Sequence, residues 1–464
     1  MEHAGEGLRR AAWLAALFVL AFVVRSLYAV DQAPDMYTPE QEGTRMAQRY
    51  DDAALSILSG DGMLWPRVPD KEKTGLLARP PGYSLYLAVV YKALGHSFFA
   101  AQAVQNLLTS LACVLMMLAA ARLASWPAAL AGGLIAALSP PLGYVSALVL
   151  PDALSALPLL AALLILACVH PEGRGGLWKS AAAGALVGAG VWLRPNVVLL
   201  APFLSLVLLI VARDRRRGLL HAVALSLAAI VVVLPITIRN YAVFGAFVPV
   251  SINGGLTLWQ GVADAGGTEV GAKRHDTLVA EEEAERYANP RYRDWWAEPD
   301  GILRDQDRYR RALEVIRAHP VRFAGVMLRR MGEMVDYAAG EAPALLHDAP
   351  PLPARGSGTG DTGVGPSRWL APGRAAAPLR PPLAWIQPLL GLALLPLVLV
   401  GAALLARQDW RRTALLLSIS FYYLLSESPF IYEWRVVAPM HYGLFAAAGG
   451  ALAAAAESLR RLRR

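Results

Sequence analysis

The chain has few charged residues and almost no cysteine. Of its 464 residues only 17% are charged and 56% are hydrophobic, whereas a soluble domain carries roughly 25% charged residues. This composition excludes an ordinary water-soluble fold. Both cysteines, Cys113 and Cys168, lie inside apolar runs, so we interpret them as packing residues and not as a disulfide or a metal site.

The net charge of +8 does not indicate a nucleic-acid partner. The basic residues cluster at the ends of apolar runs, where they set the orientation of a membrane protein. The Gly-rich stretch 356–365 lacks the lysine and the strand–helix context of a phosphate loop. We therefore predict a membrane protein with no nucleic-acid partner.

Ten runs are apolar enough to be membrane spans, which need about 20 apolar residues each. An eleventh run, Tyr83–Leu94, is only about half a span. We predict an all-α polytopic membrane protein with about 10–12 transmembrane helices. The ten runs are Ala11–Val30, Ala100–Leu123, Trp126–Val149, Asp152–Val169, Ser180–Leu193, Val197–Ala212, Leu219–Ile238, Leu383–Ala406, Thr413–Leu425 and Val436–Ala456.

The basic residues at the span ends predict the orientation of the chain. If Tyr83–Leu94 does not cross, or crosses together with a further span, most of them fall on one side, which the positive-inside rule assigns to the cytoplasm together with both termini. They are Arg9, Arg10, Arg122, Arg174, Lys179, Arg213, Arg215, Arg216, Arg217, Arg407, Arg411, Arg412, Arg460, Arg461, Arg463 and Arg464. The other face then collects the loop 31–83, the turn Ser139–Asp152, the break at Arg194–Pro195 and the segment Arg239–Pro382. One extracytoplasmic site could be built from all four.

Composition divides the chain into four parts. Residues 1–238 form an N-terminal transmembrane module that includes the acidic first loop, 31–83, and residues 383–464 form a C-terminal one. Residues 239–339 have helical charge spacing and are predicted to be an ordered extracytoplasmic segment. Residues 340–382 are rich in proline and glycine and are predicted to be a flexible tether.

Two arginines next to prolines are candidates for binding phosphate. Arg79 precedes two prolines where the chain meets the membrane, and Arg194 stands between two apolar runs before Pro195. A guanidinium pairs well with phosphate oxygens, and an ionisable residue at the membrane is a functional candidate. The alternatives are that Arg79 is an interfacial anchor and that Arg194 lies in an exposed turn.

The stretch Pro235–Gly261 combines groups that suit a sugar. Arg239 and Asn240 end a span, Asn253 begins a turn, and Trp259 follows it. Amides bond to hydroxyls, and an indole stacks on the apolar face of a pyranose. The alternative is a loop at the membrane interface with an aromatic belt residue.

Four strings carry a resemblance that runs in order from about Arg25 to Arg435. They are RPPGYSLYLA, WLRPNVVLLAP, PITIRNYAVFGAFVPVSINGGLTLWQG and YRRALEVIRAHPVRF. They resemble those of bacterial polyprenyl-phosphate-sugar-dependent glycosyltransferases of the GT-C fold, which are related to the protein O-mannosyltransferases and to the lipid A aminoarabinose transferases. The resemblance implies a GT-C-like bundle, a periplasm-facing site, a lipid-phosphate-linked sugar donor, and a general base in the first loop.

The position of that base departs from the family. Where the family has an acid four residues before a tyrosine, here Tyr50, this chain has Met46. The acids nearby are Glu42, Asp51 and Asp52, and we predict Asp51 as the base. Because the family position is occupied by methionine, a non-catalytic relative that binds lipid-linked sugar is an alternative.

The resemblance extends the set of donor-binding residues. Asp152 stands where the family commonly has an acid, although it would also suit a helix N-cap. The string ESPFIYEWR, with Arg435, resembles the family's last extracytoplasmic loop. Five arginines could ring one phosphate, and the full predicted set is Arg25, Arg79, Tyr83, Asp152, Arg194, Asn196, Arg239, Asn240, Asn253, Trp259 and Arg435.

The resulting hypothesis is an inverting glycosyltransferase of the bacterial inner membrane. Its partners would be a polyprenyl-phosphate-linked sugar donor, membrane lipid, and an acceptor hydroxyl on a glycan, lipid or protein. No cofactor is indicated, although acids of the first loop could hold Mg²⁺ or Mn²⁺. A transporter of lipid-linked sugar is the other class. It would concentrate polar groups at the midplane of repeated halves, and no internal repeat is visible.

Overall fold

The structure is a computed structural model. It describes residues 2–32, 42–60, 77, 79–169, 176–293, 300–335, 337, 380–431 and 433–463, with side chains for all of these except 2–4, 31–32, 42–46 and 380–388. Much of the first loop (33–41 and 61–76) and the predicted tether up to residue 379 lie outside the described residues. Every regular element among the described residues is helical.

The α-helices of the described part follow one another with short connections. They are α1 (Glu2–Gln32), α2 (Glu42–Ser59), α3 (Gly82–Leu94), α4 (Phe98–Leu123), α5 (Trp126–Leu138), α6 (Pro140–Ala147), α7 (Pro151–Ala167), α8 (Gly176–Leu193), α9 (Leu200–Val211), α10 (Arg215–Phe244), α11 (Gly254–Gly261), α12 (Asp276–Arg286), α13 (Gly301–Ala318), α14 (Pro320–Val335), α15 (Arg380–Leu416, kinked at Asp409), α16 (Ser418–Glu427) and α17 (Trp434–Leu462).

Each predicted span coincides with helical chain, so the all-α polytopic architecture is confirmed. Among the described residues five helices are long and apolar enough to cross a membrane alone: α1, α4, α10, the Leu389–Leu416 part of α15, and α17. The pair α5 and α6, bent by 53°, makes a sixth candidate. The other predicted spans fall on shorter helices, so the total of about 10–12 crossings stays a prediction.

Small residues let the apolar helices pack closely. A Cβ at Gly184 of α8 would lie 2.0 Å from the Leu225 carbonyl oxygen of α10, and one at Gly449 of α17 would lie 2.2 Å from the Ala128 carbonyl oxygen of α5. Between membrane helices, close backbone approach replaces the hydrophobic drive that water supplies elsewhere. The result is one large apolar core shared by the two transmembrane modules.

We call helices α11 to α14 the extramembrane segment, and they have a hydrophobic core of their own. Trp259, Val279 and Phe323 are among the residues buried there. The fully buried Glu283 binds Arg304 at 2.9 Å and Arg308 at 2.7 Å, so its charge is compensated. Helices α13 and α14 are separate and meet at His319–Pro320.

Polar side chains of α4 fix the irregular chain between α6 and α7. Gln102 Nε2 donates to the Ala147 carbonyl at 2.6 Å, and Gln105 Nε2 donates to the Ser146 and Leu148 carbonyls at 2.9 and 2.7 Å. Buried carbonyls need such donors when no helix satisfies them. The two glutamines thereby hold the end of α6 and the chain that follows it against α4.

Candidate functional site

The candidate site is centred on Asp152, in the first turn of α7. Its side chain is fully buried, and its two oxygens bind different arginines: Oδ1 accepts from Arg194 Nη2, and Oδ2 accepts from Arg435 Nη1 at 3.2 Å. The N-cap interpretation of Asp152 is wrong, because Leu150 occupies that position and no side chain caps the helix. The carboxylate instead joins segments that are far apart in the sequence.

Arg194 and Arg435 reach Asp152 from the ends of two helices. Arg194 has an extended backbone (φ −140°, ψ 123°) between α8 and the short 3-10 helix Pro195–Val197, since the following proline disfavours a helical conformation there. Arg435 lies in the first turn of α17 and also pairs with Glu433. The structure thus brings both predicted arginines to one carboxylate.

Arg79 completes the group from the loop before α3. Its guanidinium carbon lies 4.8 Å from the centroid of the Tyr50 ring, a cation–π contact. Burial, reinforced by the positive charges of Arg49 and Arg435, lowers the pKa of Arg79. Arg79 also interacts electrostatically with Arg194, so the three arginines share one site.

We call Arg79, Arg194, Arg435, Asp152 and Glu433 the arginine cluster. Three guanidinium groups against two carboxylates leave one net positive charge when all five are ionised. Arginines presented in fixed positions suit the bidentate recognition of a phosphate or carboxylate. Because its arginines outnumber its carboxylates, the cluster can hold an anion; Arg49, Asp276 and Glu427 also interact with Arg79 or Arg194 and add to the charge of the site.

An open apolar pocket of about 450 Å³, which we call the apolar cavity, is lined by residues close in sequence to members of the cluster. Gly82, Trp192 and Leu193 line it, and they are close neighbours in sequence of Arg79 and Arg194. Trp192 is held in place by its indole nitrogen, which donates to the Val232 carbonyl at 2.7 Å. The remaining lining residues come from α3, α4, α7, α8 and α10: Leu85, Leu108, Leu154, Leu157, Pro158, Ala189 and Val232.

Tyr83 and Asn196 lie next to the cluster in supporting positions. The Tyr83 hydroxyl donates to Gln105 Oε1 at 2.7 Å, and its ring packs edge-on against Tyr50 with centroids 5.1 Å apart. The Asn196 carbonyl accepts from the Tyr422 hydroxyl, which fixes the chain that carries Arg194. Both residues therefore stabilise the frame that holds the arginines.

Asp51, the predicted base, contacts the far end of α3. Its Oδ1 accepts from the Tyr91 hydroxyl at 2.6 Å and lies 2.9 Å from His96 Nε2. Tyr91 is nine residues beyond Gly82, about 14 Å along the helix, whereas Arg79 precedes Gly82. Asp52 is exposed, and Glu42 begins α2 with its side chain outside the described ones.

The structure places Arg25 in a separate site. It is completely buried on α1, where its Nη1 donates to the Ala21 carbonyl at 3.2 Å and its Nη2 contacts Cys113 Sγ at 3.2 Å. Tyr442 of α17 also interacts with it. Its described contacts include none of the cluster residues.

Arg239 and Asn240 stabilise the end of α10. Arg239 donates to Asn240 Oδ1 at 2.8 Å and lies over the Phe244 ring, and Asn240 Nδ2 donates to the Val248 and Val250 carbonyls at 3.0 and 3.1 Å. These contacts hold the connection from α10 to α11.

Asn253 and Trp259 belong to the extramembrane segment. Asn253 precedes α11, and its carbonyl accepts from the Thr257 hydroxyl at 3.2 Å. Trp259 is 1% exposed, with the Arg311 guanidinium 4.5 Å from its ring centroid. The indole thus packs inside the segment's core instead of facing a sugar at the surface.

Sequence reasoning missed several residues that shape the site. Gln102 and Gln105 are polar residues one turn apart in an apolar span, and that pattern could have identified them. Asp276 could not have been found in this way, since only the fold brings it near Arg79. Gln260 Nε2 fixes its carboxylate with a hydrogen bond of 2.6 Å.

Metal binding stays a prediction. No group of three or more His, Cys, Asp or Glu side chains converges in the part of the chain that the structure describes. The first-loop acids named as candidate ligands for Mg²⁺ or Mn²⁺ lie mostly outside that part.

The resemblance to the glycosyltransferases is confirmed over residues 78–239, which match the family model described as dolichyl-phosphate-mannose-protein mannosyltransferase. This range includes Arg79, Asp152 and Arg194. No curated protein matches the chain.

The solved structures of one oligosaccharyltransferase confirm the GT-C fold. The oligosaccharyltransferase AglB of the archaeon Archaeoglobus fulgidus, in complex with an inhibitory peptide and a dolichol-phosphate, matches 98% of this chain and 51% of its own at 14% identity and a TM-score of 0.54. The apo form of the same enzyme matches 97% of this chain and 51% of its own, at 13% identity and a TM-score of 0.54. ArnT of Cupriavidus metallidurans bound to undecaprenyl phosphate matches 96% and 77% at 16% identity and a TM-score of 0.39. The chain spans about half the length of the oligosaccharyltransferase it matches.

Proposed function

We propose that this GT-C-fold membrane protein is a glycosyltransferase that moves a sugar from a polyprenyl-phosphate-linked donor to an acceptor hydroxyl. The observation that carries the proposal is the arginine cluster together with the apolar cavity. A lipid phosphate is an anion joined to a hydrocarbon chain, and the two features match its two parts. The family match over residues 78–239 supports the same donor class.

The charge of the cluster suits the proposed reaction. A polyprenyl-phosphate sugar is a phosphodiester with one negative charge, which equals the cluster's net positive charge. When the bond between the sugar and phosphate breaks, the leaving phosphate gains further negative charge. Arg79, Arg194 and Arg435 are held by Tyr50, Asp152 and Glu433, and such preorganised cations stabilise a developing charge.

A carboxylate must accept the proton of the attacking hydroxyl. The sequence-based assignment is Asp51, with Asp52 and Glu42 as the other first-loop acids, although Tyr91 and His96 hold the Asp51 carboxylate at the end of α3 that is far from Arg79. Asp276 and Glu433 interact with arginines of the cluster, so they are carboxylates against which this assignment has to be tested. Attack from the face opposite the phosphate would invert the anomeric carbon.

The proposal includes a location. The site would face the periplasm of a bacterial inner membrane, with both termini in the cytoplasm, as the distribution of arginines at the span ends predicts. The acceptor would be a glycan, a lipid or a protein. A divalent cation held by first-loop acids is an additional hypothesis.

A transfer assay tests the proposal. Purified protein in lipid vesicles would be incubated with a panel of polyprenyl-phosphate sugars, each labelled in the sugar, together with a membrane extract as the source of acceptor. We expect the label to leave the lipid, and Arg194→Ala to slow this by about 10²–10³-fold, the usual loss when a charge-stabilising donor is removed.

Two variants make the result specific. Arg194→Lys should recover part of the rate, because lysine keeps the charge but lacks the planar fork. Arg407→Ala, at an exposed arginine of α15, should behave as the wild type. Donor binding without transfer would favour the non-catalytic relative, and movement of intact donor across the vesicle would favour the transporter.

A further inference from the structure

The connection between α16 and α17 carries Glu433 and leads into Arg435, so it positions two members of the arginine cluster. It comprises residues 428–433, of which 432 is outside the described residues, and it leads through Glu433 directly into Arg435. Its described residues form no helix or strand, so other parts of the protein must fix its course. The Ile431 amide donates to the Thr257 carbonyl of α11 at 3.1 Å.

Arg330 of α14 also binds this connection. Its Nη1 donates to the Ser428 and Pro429 carbonyls at 3.2 and 3.3 Å, and its Nη2 donates to the Gly261 carbonyl at 2.7 Å. The same Nη2 lies 3.2 Å from Asp264 Oδ2. One guanidinium thus holds four oxygens from two chain segments.

The burial of Arg330 indicates that its position is specific. Its side chain is 5% exposed, and Asp264 compensates its charge. Neighbouring Arg329 also binds Asp264, at 3.1 Å, but its side chain is 54% exposed and its described contacts do not reach the connection. Arg329 can compensate the charge of Asp264 from an exposed position, so pairing with Asp264 does not by itself explain why Arg330 is buried.

Glycine at position 261 allows the connection to lie against the extramembrane segment. A Cβ there would be 2.5 Å from the Pro429 carbonyl oxygen and 3.1 Å from Phe430 Cα. Phe430 packs against the core of the segment. The backbone contact and the Arg330 hydrogen bonds act on the same residues, 428 to 431.

We propose that Arg330 is a positioning residue that holds the α16–α17 connection so that Arg435 meets Asp152. It acts on the phosphate site through the chain and touches no part of the substrate. Lysine could not replace it, because a single ammonium cannot reach four oxygens in this planar arrangement. The expected effect on donor binding rests on the proposed function, whereas the expected effect on the connection does not.

The experiment uses the full-length protein in detergent micelles and compares Arg330→Lys and Arg330→Gln with the control Arg329→Gln. Hydrogen exchange of peptides covering 428–436 reports on the connection, and binding of a polyprenyl monophosphate reports on the site. For Arg330→Gln we expect faster hydrogen exchange confined to those peptides. We also expect the affinity for the polyprenyl monophosphate to be about tenfold weaker, which corresponds to one charge-assisted hydrogen bond lost from a displaced Arg435. Arg330→Lys should lie between, and Arg329→Gln should match the wild type in both.

A second variant reaches the same residues without removing a charge. Gly261→Ala should displace the connection through its clash with Pro429 and give the same local exchange and weaker binding. Wild-type exchange at 428–436 in Arg330→Gln, or faster exchange throughout the protein, would overturn the inference. If the wild type binds no polyprenyl monophosphate, the proposed function fails, and the exchange result alone decides the role of Arg330.

Discussion

Replacing Asp152 with asparagine keeps the shape of the side chain and removes its charge. The Asp152 side chain is fully buried, and those of Arg435 and Arg194 are 6% and 18% exposed. Removing one partner of a buried ion pair costs about 3–5 kcal/mol. Because Arg194 is partly solvated and Arg435 keeps Glu433, we expect the lower end, about 3 kcal/mol.

Thermal unfolding followed with a thiol-reactive dye measures this loss. Cys113 is completely buried and reacts only when the bundle opens, and a Cys168→Ser background removes the thiol that is partly exposed. For a chain of this length a loss of about 3 kcal/mol lowers the melting temperature by about 3 °C, which is the shift we expect for Asp152→Asn. The control Glu457→Gln removes a carboxylate that is 65% exposed and paired with Arg461, and it should cost less than about 1 kcal/mol.

Asp152→Asn should also respond more strongly than the wild type to a bound polyprenyl monophosphate. Without Asp152 the cluster carries two net positive charges instead of one, and a polyprenyl monophosphate supplies the missing negative charge. The lipid should therefore raise the melting temperature of Asp152→Asn by more than that of the wild type. If Asp152→Asn melts like Glu457→Gln, the carboxylate does not hold the arginines together and the reasoning is refuted.

Three further predictions concern the base, the extramembrane segment and the orientation. Asp51→Asn should abolish sugar transfer but keep donor binding; normal transfer with loss in Glu42→Gln would move the base to Glu42. Burial raises the pKa of Asp305 to about 7, so the folded state binds its proton more tightly than the unfolded chain does. The free energy of unfolding should then fall as the pH rises from about 4 to 7. Melting temperatures followed by tryptophan fluorescence should fall less steeply with pH in Asp305→Asn than in the wild type, and an equal dependence in both would contradict this. Reporters inserted near Gly358 and after Arg464 should lie on opposite sides of the membrane, and same-side signals would remove the one-face argument.

The helices could be predicted from the sequence because burial in lipid requires long apolar runs, and such runs are visible without any tertiary information. Arg79, Arg194, Asp152 and Arg435 could be assigned to one membrane face for a similar reason: each stands where an apolar run begins or ends. In the structure Arg194 and Arg435 both bind Asp152, and Arg79 interacts with Arg194.

Helix rotation and long-range burial could not be read in the same way. Arg25 was grouped with the other arginines, but it lies on the side of α1 that meets Cys113 of α4. Trp259 reads as a surface aromatic until Arg311, distant in sequence, covers its ring. Asp152 suited an N-cap locally, but α7 already begins at Pro151, and the carboxylate pairs with two arginines from other segments.

The most direct measurement is photo-cross-linking with a polyprenyl phosphate that carries a diazirine in the first isoprene unit. The labelled peptides should contain Trp192, Leu193 or Leu85 of the apolar cavity, and Arg194→Ala should reduce the labelling by about tenfold or more. Arg407→Ala should leave it unchanged. Labelling confined to peptides that contain no lining residue of the cavity, or labelling that persists in Arg194→Ala, would contradict the claim that the arginine cluster and the cavity together hold a lipid phosphate.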